Sequence, residues 1–229
     1  MYNVIAFDAD DTLWHNEHIF LDVQDRFCEM LVSHSPSFIQ NILTDIHIRN
    51  IEIYGYGIKG FILSMVETFI EIQEGKVNGI EVKQILDFGR EMLAAPITLL
   101  PNVFDVLMQL SEEYSLMIIT KGDLIDQEKK IARSGLYDFF KKIEIVSDKT
   151  EISYKKILNR NKIDVSHFLM VGNSMRSDIV PVVKIGASAV HIPYKTTWVH
   201  EEDYPHLDLG EFFVLEKIAL LPDFLNSKK

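Results

Sequence analysis

The feature that most constrains what this 229-residue chain can fold into is a change of periodicity along its length. A short apolar run of strand character, residues 2–7, opens the chain, and from Glu17 to Leu93 only helical spacing follows, with no strand-like run bounded by turns. The stretch predicts helices over 17–33, 37–53, 58–74 and 80–94, punctuated by Ser35-Pro36, Gly55-Tyr56-Gly57 and Gly75-Lys76-Val77-Asn78-Gly79. After Pro96 and Pro101 the pattern alternates. Helices are expected over 102–113, 123–134, 150–160 and 177–185, with strands at 116–120, 143–146, 168–171 and 187–191. Such alternation predicts a doubly wound parallel sheet with helices on both faces, into which the all-helical stretch is inserted after the first strand. Ligands of these sheets bind beyond the carboxyl ends of the strands.

Those ends carry the chemistry. The run Val4-Ile5-Ala6-Phe7 breaks off into Asp8-Ala9-Asp10-Asp11-Thr12. Like charges beside an apolar core repel one another and cost desolvation energy, so they persist mainly where a cation or a reaction uses them. Taken alone, the motif is equally compatible with an acidic turn after an edge strand. The strand ending Met117-Ile118-Ile119 delivers Thr120-Lys121-Gly122-Asp123, and the one ending Leu169-Met170-Val171 delivers Gly172-Asn173-Ser174 and then Asp178. Between them lies Lys149, within Ser147-Asp148-Lys149-Thr150. Carboxylates, a hydroxyl, an ammonium and a carboxamide gathered at one sheet edge form the inventory that a phosphoryl group needs.

Composition narrows the partners. A net charge of −11, with no Lys/Arg cluster to reverse it locally, argues against a nucleic-acid partner. An anionic substrate must then be drawn in by local groups or a metal ion. The single cysteine, Cys28, excludes an internal disulfide and reads as a buried structural thiol on an amphipathic helix. No apolar run is long enough for a membrane helix and no signal peptide precedes Asp8, so a cytoplasmic protein with no membrane partner is expected. The oligomeric state is not legible.

In order and spacing, the motifs resemble the four of the haloacid dehalogenase-like (HAD) superfamily. They are D-x-D-x-T as Asp8-Ala9-Asp10-Asp11-Thr12, a strand-terminal Thr120, Lys149, and a G-D-S-x-x-x-D-like element as Gly172-Asn173-Ser174-Met175-Arg176-Ser177-Asp178. The likeness spans residue 4 to about residue 191, and four motifs in order carry far more weight than any one of them. It implies a Rossmann-like core formed by residues 1–14 and 96–229, with residues 15–95 as a helical cap. It also implies an Mg²⁺-dependent phosphatase acting on a small phosphorylated metabolite. Asp8 would be the nucleophile and Asp10 the acid/base. The ion would be held by Asp8, the Asp10 carbonyl and Asn173, with Asp178 orienting metal-bound water. Thr120, with the backbone N–H groups near Lys121 and Gly122, would hold phosphate oxygens, and Lys149 would offset charge.

Two departures stand out. The Lys-Pro pair common in the family is absent at Lys149, and Asn173 replaces the usual aspartate, which removes one negative charge from the ligand set. A phosphomutase of the same fold and a catalytically idle binding protein stay open as alternatives. A dehalogenase is disfavoured, because that branch of the family works without metal and does not need the Asp10 acid/base. Asp11 and Asp123 are expected on the surface near the site. Trp14, Trp198, His191 and His200 are expected to be core or surface residues, and His191–Trp198 a loop on the functional edge. Residues near Tyr54–Phe61 are candidates for setting specificity.

Overall fold

The computed structural model describes residues 2–76, 78–196, 198, 201 and 212–228. Val77, Thr197 and His200, all within segments considered above, lie outside the described residues. The chain divides into two compact units, Met1–Glu17 with Ile97–Lys229, and His18–Pro96.

The larger unit is built on six parallel strands: β1 (Val4–Phe7), β2 (Ser115–Lys121), β3 (Lys142–Val146), β4 (Phe168–Gly172), β5 (Ser188–His191) and β6 (Phe213–Val214). Their order is β3-β2-β1-β4-β5-β6. β1 is therefore central, with Phe7 opposite Ile118 on one side and Val171 on the other. The chain winds outward from β1 through β2 and β3, then returns to build the other half from β4. Such a reversal leaves a crevice beyond the carboxyl end of the central strand.

Strand alternation sorts the core into two layers. Ile5, Phe7, Leu116, Ile118, Leu169 and Val171 face one side, covered by α5 (Val103–Ser111) and by Ile131 of α6 (Leu124–Arg133). Leu221 and Leu225 of α9 (Leu221–Asn226) join that layer. Ala6, Met117, Ile119, Phe168 and Met170 face the other side, against Tyr154, Ile157 and Leu158 of α7 (Glu151–Asn161) and Val182 of α8 (Val180–Lys184).

The smaller unit holds α1 (Glu17–Met30, from its second residue), α2 (Pro36–Tyr54), α3 (Ile58–Ile72) and α4 (Gly79–Ala94). Its core joins Val23, Phe27, Leu43, Phe61, Met65, Phe69, Ile85 and Phe88. The Ser35 side chain caps α2, and an Asn78–Glu81 capping box starts α4. The segments that lead to and from this unit run side by side within the larger one. His15 N–H donates to the Thr98 carbonyl at 3.0 Å and Leu100 N–H to the Leu13 carbonyl at 2.9 Å.

The structure departs from the expected elements in two places. The helix expected over 177–185 is a wide turn, Met175–Ile179, closed by Val180 N–H on the Met175 carbonyl and followed by α8. Pro181 lacks an N–H and cannot continue a helical ladder begun before it. β6 and α9 were not expected, since two and six residues are too few to set a period. Among the described residues no helix is long and apolar enough to cross a membrane.

Candidate active site

The site begins where β1 stops. Asp8 N–H still donates to the Val171 carbonyl at 2.9 Å, extending the ladder with β4, and the chain then closes a tight turn with Leu13 N–H on the Ala9 carbonyl at 2.8 Å. Asp11 takes a left-handed conformation in that turn (φ 60°), which a short polar side chain tolerates. The turn brings Thr12 back over the strand end. Its Oγ1 lies 3.1 Å from Asp8 Oδ2 and 3.2 Å from Asn173 Oδ1, so two residues from distant parts of the chain share one hydroxyl.

Lys149, delivered by the loop between β3 and α7, is buried. Its ammonium donates to Asp8 Oδ1 and, at 2.7 Å, to Asp178 Oδ1. The other Asp178 oxygen accepts from Ser174 N–H at 3.0 Å. This approach requires glycine at the end of β4, because a Cβ on Gly172 would stand 2.2 Å from Asp178 Oδ2. Burial pushes the Asp8 carboxyl up to about 7, with Asp178 and Asp10 adding to it against the pull of Lys149. Burial likewise opposes the Lys149 charge, but Asp178 and Asp8 outweigh it and hold the ammonium above its ordinary pKa.

Asp10 belongs to a second cluster. Trp14 Nε1 donates to its Oδ1 at 2.7 Å, Lys130 Nζ reaches both oxygens at 2.7 and 2.8 Å, and Gln127 Nε2 reaches Oδ2 at 3.1 Å. Gln127 and Lys130 stand three residues apart on α6, whose start is capped by the Asp123 side chain. The same Gln127 nitrogen lies 2.7 Å from Thr120 Oγ1, linking the end of β2 to the end of β1.

A third group surrounds Lys121. Its ammonium donates to Ser177 Oγ at 2.9 Å and pairs with Glu201, whose carboxylate also accepts from Ser174 and, at 2.7 Å, from Ser177. Burial works against this carboxylate, yet Lys121 and the two hydroxyls hold it down to about 2. His191 Nε2 lies 2.9 Å from the Asn173 carbonyl, and burial keeps the ring's pKa below its ordinary value. His15 Nδ1 and the Tyr194 hydroxyl lie 2.6 Å apart, so the loop after β5 reaches the β1 turn.

The residues named from the sequence thus fall into linked clusters. Asp8, Lys149, Asn173 and Asp178 meet around Thr12 and Ser174, Asp10 and Thr120 meet through Gln127, and Lys121 turns to Glu201. Gly122 N–H donates to the Val146 carbonyl at 3.2 Å, extending the β2–β3 pairing. One expectation is corrected. Asp11 is buried rather than on the surface, because its carboxylate turns inward to accept from Asn16 N–H at 2.8 Å and Glu17 N–H at 3.0 Å. Burial raises Asp11 to about 7, and burial together with Asp11, Glu201 and Asp10 raises Glu17 to about 8.

Sequence reasoning missed Gln127, Lys130 and Glu201. For the first two a signal existed: 126, 127, 130 and 131 form the buried stripe of an amphipathic helix, and only the last of them is apolar.

The oxygen set at the end of β1 suits a hard divalent cation. Thr12 has one proton for two oxygens, so one of Asp8 Oδ2 and Asn173 Oδ1 lacks a donor at any moment, and the buried Asp8 is short of positive charge. Among the described residues no three His, Cys, Asp or Glu side chains group to hold a metal, so a cation here would draw on Asn173 and main-chain oxygen as well.

The sequence pattern of haloacid dehalogenase-like hydrolases matches residues 2–183. The crystal structure of a haloacid dehalogenase-like family hydrolase from Xanthomonas campestris is 32% identical, with a TM-score of 0.88 over 99% of this chain and 91% of that one. A glyceraldehyde 3-phosphate phosphatase of Pyrococcus abyssi is 35% identical over 101 residues, 41% of this chain and 42% of its own. The chain spans about half the length of the curated relatives it matches. A 2-haloacid dehalogenase from Pseudomonas syringae shares the fold at 20% identity, with a TM-score of 0.66 over the whole of both chains.

Proposed function

Since the chain belongs to the haloacid dehalogenase-like hydrolases, we propose that it is an Mg²⁺-dependent phosphatase that hydrolyses a small phosphomonoester through an aspartyl-phosphate on Asp8. The observation that carries this reading is the setting of Asp8. One of its oxygens rests on the buried Lys149 ammonium and the other on a hydroxyl shared with Asn173, so it is a carboxylate aimed and partly neutralised but not fully satisfied. The likeness to glyceraldehyde 3-phosphate phosphatases supports a phosphorylated metabolite of that size as substrate.

Asp8 attacks phosphorus while the leaving oxygen takes a proton from Asp10. A water molecule then attacks the aspartyl-phosphate, gives its proton to Asp10 and releases inorganic phosphate with Asp8 restored. Lys149 offsets the charge that Asp8 and the phosphate bring together, and Thr120 donates to a phosphate oxygen. Asp8, the Asp10 carbonyl and Asn173 would hold Mg²⁺, with Asp178 nearby, and the ion would supply Lewis-acid charge stabilisation. We also propose that residues 15–95 act as a cap that selects the substrate, entering and leaving through the paired segments at His15 and Thr98.

The test is phosphate release from a panel of sugar and triose phosphates, with Mg²⁺ and with chelator. Wild type should turn over at least one substrate only with the metal. Asp8→Asn, nearly isosteric but unable to attack phosphorus, should lose roughly a thousandfold or more in turnover. Activity of that variant within tenfold of wild type would refute the mechanism.

A further inference from the structure

Gln127 is 1% exposed, and its amide nitrogen faces three acceptors: Thr120 Oγ1 at 2.7 Å, the Lys121 carbonyl at 3.0 Å and Asp10 Oδ2 at 3.1 Å. The Lys121 carbonyl can only accept, which fixes the amide with its nitrogen on that side. The consequence falls on the other end. Among the described residues the buried Gln127 Oε1 has no hydrogen-bond partner. An orphaned buried carbonyl is a standing cost, and a methionine would fill similar space without it. What the amide supplies in exchange is its N–H groups.

Their effect on Thr120 follows from counting protons. The hydroxyl has one proton and two lone pairs, and Gln127 donates to the oxygen. Among the described residues none accepts the Thr120 proton, so it is directed away from Gln127. A threonine alone could spend that proton on a backbone carbonyl. Here Gln127 takes one lone pair and turns the proton to the other side, so Thr120 faces away from Gln127 as a donor.

We propose that Gln127 is a positioning residue for phosphate: one amide N–H occupies a lone pair of Thr120, so that the hydroxyl turns its proton towards a phosphate oxygen, while the other N–H, shared between the Lys121 carbonyl and Asp10, ties that donor to the carboxylate. This rests on the phosphatase reading above. It assigns to α6 the task of setting the distance and orientation between the group that binds phosphate and the group that handles the proton. Lys130, one turn further along, grips the same carboxylate.

The experiment measures binding of inorganic phosphate in the presence of Mg²⁺ by calorimetry for wild type, Gln127→Met, Thr120→Val and the double variant, with thermal melting to verify folding. Each single variant should weaken phosphate binding by roughly tenfold. Since Gln127 acts through Thr120, the double variant should bind within about twofold of Thr120→Val alone. Gln127→Glu is an isostere that can only accept at neutral pH. It should draw the Thr120 proton inward and weaken binding at least as much, which keeps the test alive if the methionine variant does not fold. Binding by both Gln127 variants within about twofold of wild type, or additive losses in the double variant, would overturn the proposal while leaving the phosphatase reading in place. A wild type that neither binds phosphate nor hydrolyses any phosphomonoester would overturn both.

Discussion

Asp8 and Asp10 stand two residues apart at the end of one strand, yet their environments are opposite. Asp8 is buried, with one ammonium on one oxygen and half of a shared hydroxyl on the other, and its pKa rises to about 7. Asp10 keeps a side chain 23% exposed and receives an indole N–H, an ammonium and an amide. Residues two apart in an extended strand would share a face, so it is the turn after β1, closed on the Ala9 carbonyl, that separates the two side chains, and burial explains the energetics. The comparison teaches that a D-x-D motif is two sites. One carboxylate is left short of donors, as a nucleophile must be, and the other is held in place by three side chains.

The comparison is broken most forcefully by removing the two lysines. Lys149→Met leaves Asp8 and Asp178 buried together without a cation and should destabilise the fold by about 3–5 kcal/mol. Lys130→Met leaves Asp10 its indole and amide donors and some water, and should cost only about 1–2 kcal/mol. Denaturant unfolding of both variants checks this, and equal losses would erase the distinction between the two carboxylates.

Mg²⁺ titration against pH sharpens it next. With Asp8 raised to about 7, a proton and the cation compete for the same carboxylate. Half-saturation should be nearly flat above pH 8 and should rise by about tenfold per pH unit once pH falls below 7. A titration unchanged between pH 8 and pH 6 would place the metal away from Asp8.

The smallest expected effect concerns Glu201, whose pKa falls from 4.5 to about 2. A carboxyl depressed in the folded state contributes stability that is present above pH 4.5 and lost as pH falls towards 2. Wild type should therefore melt above Glu201→Gln at neutral pH, and the gap should close over that window. Asp11, raised to about 7, has the opposite sign, so that wild type loses ground to Asp11→Asn as pH rises from 3.8 through 7.

Much of the fold was legible because its signals are local. The strands at Val4–Phe7 and Phe168–Gly172 are apolar runs that stop at polar residues, and helical spacing marks each helix of the smaller unit. The strand ends also gave the neighbourhood of Asp8, Thr120, Lys149, Asn173 and Asp178. What the sequence did not give is which side chains answer these. Gln127 and Lys130 meet an aspartate 117 and 120 residues away, and Glu201 meets Ser174 across 27. No periodicity encodes such pairs. Asp11 looked solvated because its burial depends on a left-handed backbone that sends its side chain inward, towards the N–H groups of Asn16 and Glu17.

The central claim is that Asp8 carries the phosphoryl group. Rapid quench of the working enzyme into borohydride tests it most directly, since an aspartyl-phosphate is reduced to homoserine whereas a free carboxylate is untouched. Peptide mass spectrometry should find homoserine at position 8 in samples quenched during turnover and none in enzyme without substrate. Phosphate released at full rate, with position 8 recovered only as aspartate and homoserine absent from every quenched sample, would contradict the account.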